Sequence, residues 1–312
     1  PISDECGLMF PIIPANSVAE EAGNQEGIFG YGVPVDGVQV TTTNLVSNVG
    51  VVATDVAGVG TARMFLGACE YGEDKGIFGF GHPASGVTAV TNLVSNAGVV
   101  ASDQAAVTGT ARYGPAACGY GDDKGIFGYG IHSSVYSMTN LVSNAGVVST
   151  DVAGVGTARH HAAACEYGGD KGIFGFGYDG SVVTAVTNLV SNAGVVASDV
   201  AGVGTARMGL AACDYGDDKG IFGFGSTGSE VAMTNLVSNA GVVATDVAGV
   251  GTGRRRLAAT QYGGDKGIFG YGRSTGSVYE SITNLVSNAG VVATDTAGVG
   301  TARYGVAACS FN

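Results

Sequence analysis

The sequence predicts an all-β protein, a closed six-bladed β-propeller with four-stranded antiparallel blades. Three observations support this prediction. A motif of the form Gly-Ile-Phe-Gly-aromatic-Gly begins six times, at intervals of 47 to 49 residues: Gly27, Gly76, Gly125, Gly172, Gly220 and Gly267. Each copy contains four short strand-like segments separated by turn residues, without a sustained helical period. The first copy lacks its first strand, whereas the chain ends on such a strand.

The repeat around Gly220 illustrates the four predicted strands. Met208–Tyr215 is rich in small residues, and Gly-Asp-Asp-Lys then turns the chain into Gly220–Gly225, whose glycine and aromatic residues suit a packed sheet. After a loop of variable composition comes a strand of the type Thr187–Asn192. The turn Asn-Ala-Gly follows because Asn and Gly tolerate positive φ, and a segment of the type Gly-Val-Val-Ala-Ser-Asp forms the fourth strand.

The two ends of the chain predict how the ring closes. The first repeat starts at its second strand, and the missing first strand is expected to come from Tyr304–Phe311. An open solenoid would instead need capping repeats with a polar outer face. We therefore predict a propeller over residues 25–312, with blade one completed by residues 304–311. A non-repeat N-terminal arm, residues 1–24, precedes it and is expected to dock onto the ring or a larger assembly.

The charge balance argues against two classes of partner. The chain carries 14 Lys and Arg against 26 Asp and Glu, a formal net charge of −12. Such a chain repels phosphate backbones and anionic lipid surfaces, so neither nucleic acid nor a membrane is expected as its partner. No apolar run approaches the roughly 20 residues that span a bilayer. Membrane insertion is therefore not predicted.

The repeats resemble those of the Kelch family. The matching residues in one copy are Arg207 before the first strand, glycines 223 and 225 closing the second, and Thr-Asn-Leu-Val-Ser-Asn-Ala-Gly-Val-Val over the third and fourth. The resemblance covers residues 25–312 and implies a propeller fold, but it implies no particular function. Two features depart from the family: an aromatic residue separates the glycines, and the chain has no Trp. The glycine-rich repeats are also similar to those of uncharacterised environmental phage proteins.

An Asp and an Arg recur in every repeat, eight or nine residues apart. The sets are Asp55 and Arg63, Asp103 and Arg112, Asp151 and Arg159, Asp199 and Arg207, Asp246 and Arg254, and Asp295 and Arg303. A catalytic site would break the rotational symmetry, whereas these residues recur in every blade. We interpret them as structural ion pairs that tie the loop between adjacent blades.

The cysteines are predicted to be buried free thiols. Five occupy one equivalent strand position, which is Thr260 in the remaining repeat: Cys69, Cys118, Cys165, Cys213 and Cys309. Equivalent positions in neighbouring blades should lie beyond the roughly 7 Å Cα separation that a disulfide allows. This pattern favours assembly in a reducing cytoplasm. Cys6 lies outside the repeats and has no assigned role.

No metal, cofactor or catalytic site is predicted. Turns such as Asp123-Lys124 supply too few carboxylates for Ca²⁺. The histidines are His82, His132, His160 and His161, and the adjacent pair in one strand should point to opposite faces and so not share an ion. No Cys-x-x-Cys, P-loop or Ser/His/Asp arrangement is present. The copper ligands of a galactose oxidase and the Asp-box with Trp of a sialidase are also missing, so an enzyme ranks third among the functional hypotheses.

The repeats differ mainly at two places, which alternating connections should bring to one rim. The first follows the repeated Arg: Met64-Phe65, Tyr113-Gly114, His160-His161, Met208-Gly209, Arg255-Arg256 and Tyr304-Gly305. The second follows the second strand: Val33–Asp36, His82-Pro83, Ile131-His132, Tyr178-Asp179, Ser226-Thr227 and Arg273-Ser274. Unrestrained drift in exposed loops is one explanation. A binding surface is the preferred one, because the turns at the opposite end are equally exposed and hardly vary.

The leading functional prediction is a non-enzymatic recognition protein. We expect a phage tail or capsid appendage that binds a host-surface glycan or protein, with other virion proteins contacting residues 1–24. The alternative is a cytoplasmic Kelch-like scaffold that binds a protein partner. The predicted ligand-binding residues begin the innermost strands near the ring axis: Phe65, Tyr113, His160, Arg255, Arg256 and Tyr304. An outer rim is predicted from His82, Tyr178 and Arg273.

Overall fold

The fold is that of a computed structural model, which describes residues 25–104 and 109–311. The predicted N-terminal arm, residues 1–24, and Cys6 lie outside the described residues. The described chain is all-β, as predicted, apart from one short 3₁₀ turn at Thr275–Ser277.

Six three-stranded antiparallel sheets repeat along the chain, each with an inner, a middle and an outer strand. Sheet 1 contains Ala307–Phe311, Glu26–Gly30 and Thr43–Val46, and sheet 2 contains Gly67–Tyr71, Lys75–Gly79 and Thr91–Val94. Sheet 3 contains Ala116–Tyr120, Lys124–Gly128 and Thr139–Val142, and sheet 4 contains Ala163–Tyr167, Lys171–Gly175 and Thr187–Val190. Sheet 5 contains Ala211–Tyr215, Lys219–Gly223 and Thr234–Val237, and sheet 6 contains Ala258–Tyr262, Lys266–Gly270 and Thr283–Val286. The strands are shorter than predicted from the sequence, and two additional pairs have only two residues per strand: Val33–Pro34 with Arg303–Tyr304, and Arg254–Arg255 with Arg273–Ser274.

The predicted fourth strand is not formed as a continuous strand. In sheet 1 the backbone of this segment pairs with the outer strand at two isolated bridges, Val46 to Val52 and Thr43 to Val56. The reason is a side chain: Asn44 donates its Nδ2 to the carbonyl of Ala53 at 3.0 Å, so this carbonyl is bonded to a side chain instead of a backbone amide of the outer strand. The equivalent Asn bonds recur in the other five sheets. The described sheets are therefore three-stranded, with a bridged fourth segment.

The two ends of the described chain meet in sheet 1. Ala307–Phe311 pairs antiparallel with Glu26–Gly30, so the C-terminal strand is the inner strand of that sheet, as predicted. Each inner strand also contacts the inner strands of the sheets before and after it. That series includes a contact between Ala307–Phe311 and the inner strands of both sheet 2 and sheet 6.

Glycine lets neighbouring sheets pack closely. A Cβ on Gly223 would lie 2.7 Å from the Phe269 ring of the next sheet, and one on Gly220 would lie 2.5 Å from the Sγ of Cys165 in the preceding sheet. The same two contacts recur around the sheets, with Thr260 in place of Cys against Gly27. The glycines of the repeated motif are therefore needed where a ring or a thiol of an adjacent sheet occupies the space.

The repeated arginines are fully buried between sheets: Arg63, Arg112, Arg159, Arg207, Arg254 and Arg303. Each guanidinium stacks on an aromatic ring of the preceding sheet at 4.0 to 4.4 Å from the ring centroid. Arg303, for example, covers Tyr271 and donates its Nε to the carbonyl of Tyr31 at 2.8 Å. Burial lowers the pKa of Arg112, Arg207 and Arg254 to about 10, which leaves them charged at neutral pH. These arginines join each sheet to the next.

The predicted Asp and Arg partners are wrong by one repeat. Asp55 lies 3.8 Å from Arg303, not next to Arg63, and accepts bonds from Thr301. The other ion pairs have the same register: Arg112 with Asp151, Arg207 with Asp246 and Arg254 with Asp295, at 3.9 to 4.0 Å. The Asp lies on the outer segment of one sheet, and the Arg enters from the loop that precedes that sheet. The Arg that follows each Asp by eight or nine residues is therefore not its ion-pair partner.

Candidate binding face

The two variable positions of each repeat are cross-strand neighbours. The pairs are Met64 with His82, Tyr113 with Ile131, His160 with Tyr178, Met208 with Ser226, Arg255 with Arg273, and Tyr304 with Val33. We call these six pairs the variable face. In each repeat the first member follows a buried Arg, and the second follows the middle strand. The variable side chains are therefore held by packing that is the same in every repeat. These pairings place the two variable positions of each repeat side by side.

The next residue of each repeat belongs to a closed cycle of backbone hydrogen bonds, which we call the axial ring. Its members are Phe65, Gly114, His161, Gly209, Arg256 and Gly305, all with φ between 51° and 68°. The amide of each donates to the carbonyl of the preceding member at 2.6 to 3.0 Å, and the amide of Phe65 donates to Gly305. Because every member has positive φ, the chain turns here before entering the inner strand. The predicted binding residues therefore precede the innermost strands and do not begin them.

Large side chains alternate with glycine around the axial ring. A Cβ on Gly114 would lie 3.0 Å from His161, and one on Gly305 would lie 3.0 Å from Phe65. The rings of Phe65 and His161 are 5.0 Å apart, and the guanidinium of Arg256 lies 4.7 Å from the centroid of Phe65. Phe65, His161 and Arg256 therefore meet at the centre of the axial ring, with a cavity of about 70 Å³ between them and the buried side chains of the next layer.

Aromatic side chains of the variable face pack on this centre. Tyr113 and Tyr304 lie 6.1 and 5.9 Å from Phe65, between ring centroids. Tyr113 also contacts His82 in the neighbouring repeat at 5.4 Å, and His160 contacts Tyr178 at 5.5 Å. The structure therefore brings the predicted residues together as a connected group. All of them are partly buried, so their rings are held by neighbours before any ligand arrives.

The two adjacent histidines do not point to opposite faces as predicted. Their Nδ1 atoms lie 2.5 Å apart, because His161 has φ of 51° and does not continue an extended strand. Burial and the nearby guanidinium of Arg256 lower the pKa of both imidazoles, so both are neutral at pH 7. The Nε2 of His161 is buried and has no hydrogen-bond partner among the described residues.

Three residues of this face were not selected from the sequence. His161 belongs to the axial ring, and its equivalence with Phe65 and Arg256 was visible in the alignment of the repeats. Tyr279 packs on Tyr304 at 4.9 Å between centroids, and Glu230 lies 3.2 Å from the Nε of Arg255. Tyr279 and Glu230 occur in loops whose lengths differ between the repeats, so comparing the repeats does not show which residues are equivalent to them.

The opposite end of the inner strands has a different chemistry. The carboxylates of Glu70, Glu166 and Asp214 line a shared axial pocket there. Burial raises the pKa of Glu166 well above its usual range, and Glu70 and Asp214 raise it further. Burial and Glu70 raise the pKa of Asp214 to about 7. In the adjacent turns each Lys pairs with the Asp before it, as expected for solvated turns.

Neither a metal site nor a membrane-spanning helix is found in the described part of the chain. No group of three or more His, Cys, Asp or Glu residues in residues 25–104 and 109–311 is arranged to hold a metal ion. No helix within these residues is both long and apolar enough to cross a bilayer.

Comparison with known proteins gives no match in sequence. No protein-family model matches the chain, and no curated protein matches it.

Proposed function

We propose that the chain is a closed six-bladed β-propeller, related in design to Kelch propellers, that recognises a partner through its variable face. The observation that supports this most strongly is the cycle of backbone hydrogen bonds through the axial ring, which includes Phe65 and Gly305. A cycle of six equivalent bonds needs six repeats arranged around one axis. The pairing of Ala307–Phe311 with Glu26–Gly30 gives further support, because it joins the two ends of the described chain in one blade.

The partner is proposed to be a glycan or protein on a host-cell surface, and the protein a non-enzymatic virion appendage. Variation concentrated on one face of an otherwise repeated scaffold is typical of a recognition surface. Partly buried Tyr, His, Phe and Arg side chains supply contact area with little loss of side-chain entropy on binding. The five buried thiols fit assembly in a reducing cytoplasm, and they also favour the second candidate, a cytoplasmic scaffold that binds a protein.

Two double variants test which face attaches to the partner. Tyr113→Ala with Arg255→Ala truncates the variable face, and Asp123→Ala with Lys124→Ala truncates a turn at the opposite end. We expect the first to weaken adsorption to host cells, or capture of the native partner, at least tenfold, which is about 1.4 kcal/mol. Its free energy of unfolding should change by no more than about 1 kcal/mol, since neither side chain is fully buried.

The turn variant should adsorb like the unmodified protein. Loss of adsorption in the turn variant, together with full adsorption in the Tyr113 and Arg255 variant, would show that the partner binds the end opposite the variable face. Equal adsorption of all three proteins would reject attachment through either surface.

A further inference from the structure

The basic residues divide into two repeated sets and one exceptional set. Of the 14 Lys and Arg residues, six are the arginines buried between sheets, and five are the lysines paired with Asp in the turns. At the equivalent positions of the other repeats there is no Lys or Arg for the remaining three: Arg255, Arg256 and Arg273. All three lie together where sheet 6 meets the variable face and the axial ring. In a chain of net charge −12, every Arg or Lys without a repeated structural position is found at this one place.

The arrangement of these three arginines lowers the stability of the fold, because their like charges repel one another. Arg255 and Arg273 are directly opposite in an antiparallel pair. Like charges in this position destabilise a strand pair. Arg256 follows in the axial ring, and its pKa is lowered first by burial and then by the charges of Arg255 and Arg273. The guanidinium groups are therefore close enough to repel one another.

The carboxylates nearby do not neutralise the whole set. Glu230 lies 3.2 Å from the Nε of Arg255, and Glu280 accepts a bond from the Ser274 hydroxyl at 2.6 Å. Within the described residues no carboxylate lies in ion-pair range of Arg256 or Arg273. The Nε of Arg273 is buried and makes no hydrogen bond to any described residue. Two guanidinium groups are thus left for an anion from outside.

Tyrosine side chains flank the arginines. Tyr304 lies 5.7 Å from the guanidinium of Arg256, and Tyr279 packs on Tyr304. A tyrosine presents a flat apolar face together with a hydroxyl, which suits a polyhydroxylated ring. Recognition of an extended acidic peptide would need a long free strand edge, whereas the paired segments here have only two residues each. These features favour a sugar over a peptide.

We infer that Arg256 and Arg273, with Arg255 beside them, bind the carboxylate of an acidic sugar residue whose ring packs against Tyr279 and Tyr304. Planar guanidinium groups suit carboxylates because they can donate two parallel hydrogen bonds. This inference rests on the proposed recognition function and specifies the class of ligand for the same face.

Titration calorimetry of the full chain with defined saccharides tests the inference. The probes are sialyllactose and trigalacturonate, with lactose and the trimethyl ester of trigalacturonate as uncharged counterparts and hexaglutamate as the acidic peptide. The variant Arg255→Gln with Arg273→Gln is compared with Lys124→Gln with Lys171→Gln, which removes the same charge at the opposite end. Melting curves establish that both variants are folded, and Arg273→Gln alone replaces the first variant if it is not.

We expect at least one acidic sugar to bind, its uncharged counterpart to bind at least tenfold more weakly, and only the arginine variant to lose affinity tenfold or more. Failure of both acidic sugars to bind at millimolar concentration overturns the inference. Tighter binding of hexaglutamate than of either sugar would assign the arginines to an acidic peptide instead. If neither sugar binds while the Tyr113 and Arg255 variant still loses host-cell adsorption, the recognition function stands and the acidic sugar does not.

Discussion

At the scale of single residues, one buried asparagine organises the polar contacts between sheets. Asn44 is fully buried, donates to Asp55 at 2.9 Å, and accepts from Arg303 at its Oδ1. The equivalent residues in the other sheets are Asn92, Asn140, Asn188, Asn235 and Asn284. From the sequence, the repeated Asp and Arg were predicted to tie the sheets together because they are charged. No role was predicted for this Asn, which lies within an otherwise apolar strand. Its presence in all six copies was the available signal.

The carboxylates at the end opposite the variable face make stability depend on pH. Burial and Glu70 raise the pKa of Asp214 to about 7, above its unfolded value of roughly 3.9, and the pKa of Glu166 is raised as well. The folded state therefore binds more protons than the unfolded state between these values. The contribution of these two carboxyl groups to stability should fall as pH rises from about 4 to about 7 and stay low above that.

Glu166→Gln with Asp214→Asn should remove this penalty. We expect the free energy of unfolding to rise by about 1 to 2 kcal/mol at pH 8, after allowance for solvent screening, and to change little at pH 4. Urea unfolding at pH 4, 6 and 8 measures the difference, with the exposed Asp217→Asn as the control. A gain of equal size at pH 4 and pH 8, or a loss at pH 8, would contradict the proposed cause.

At the scale of elements, the sequence defines the strands better than their partners. The inner, middle and outer strands were expected from small residues, the Gly-Ile-Phe-Gly motif and Thr-Asn-Leu-Val, and all three recur in each sheet. The fourth segment was predicted as a continuous strand and is found as isolated bridges. The competing bond from Asn44 to Ala53 depends on the position of a side chain in three dimensions, so the sequence did not reveal it. The Asp and Arg partners were wrong for the same reason, since spacing along one loop carries no information about the adjacent sheet.

The inner strands place their cysteines against glycines of the next sheet. The five described cysteines are buried and unpaired, and burial raises the pKa of each thiol, so the reactive thiolate is scarce. We expect these thiols to resist a thiol reagent in the native protein. Under denaturing, non-reducing conditions at least four of the six cysteines in the chain should react.

Thr260→Cys provides the matched control for the thiol count. It places a cysteine at the equivalent position in sheet 6 and should add one thiol to the denatured count and none to the native count. Mass spectra with three disulfides, or rapid reaction of the inner-strand thiols in the native state, would contradict both the packing and the inferred reducing compartment.

At the scale of the whole molecule, a repeated scaffold carries an asymmetric face. The symmetric part could be read from the repeats, since each copy of the Gly-Ile-Phe-Gly motif meets the same neighbours. The cycle of backbone hydrogen bonds that brings Phe65, His161 and Arg256 together could not, because it depends on positive φ at equivalent positions of separate repeats. The ligand class likewise depends on guanidinium groups that only the fold brings together.

The central claim is that the C-terminal strand closes the ring, and removing it tests that claim most directly. Deletion of residues 304–312 takes away the inner strand of sheet 1 and buried side chains that include Val306, Cys309 and Phe311. Each buried apolar side chain of this kind contributes about 1.5 to 3 kcal/mol, and the deletion also leaves an unpaired strand edge that favours aggregation.

Thermal unfolding of the truncated and full chains is the decisive comparison. We expect the truncated chain to melt at least about 10 °C lower, since each kcal/mol lost shifts the Tm of a large domain by roughly 2 °C or more. A synthetic peptide of residues 303–312, added in excess, should restore part of the loss by re-forming the pairing with Glu26–Gly30. A truncated chain that unfolds cooperatively at the same temperature as the full chain would contradict the closed ring.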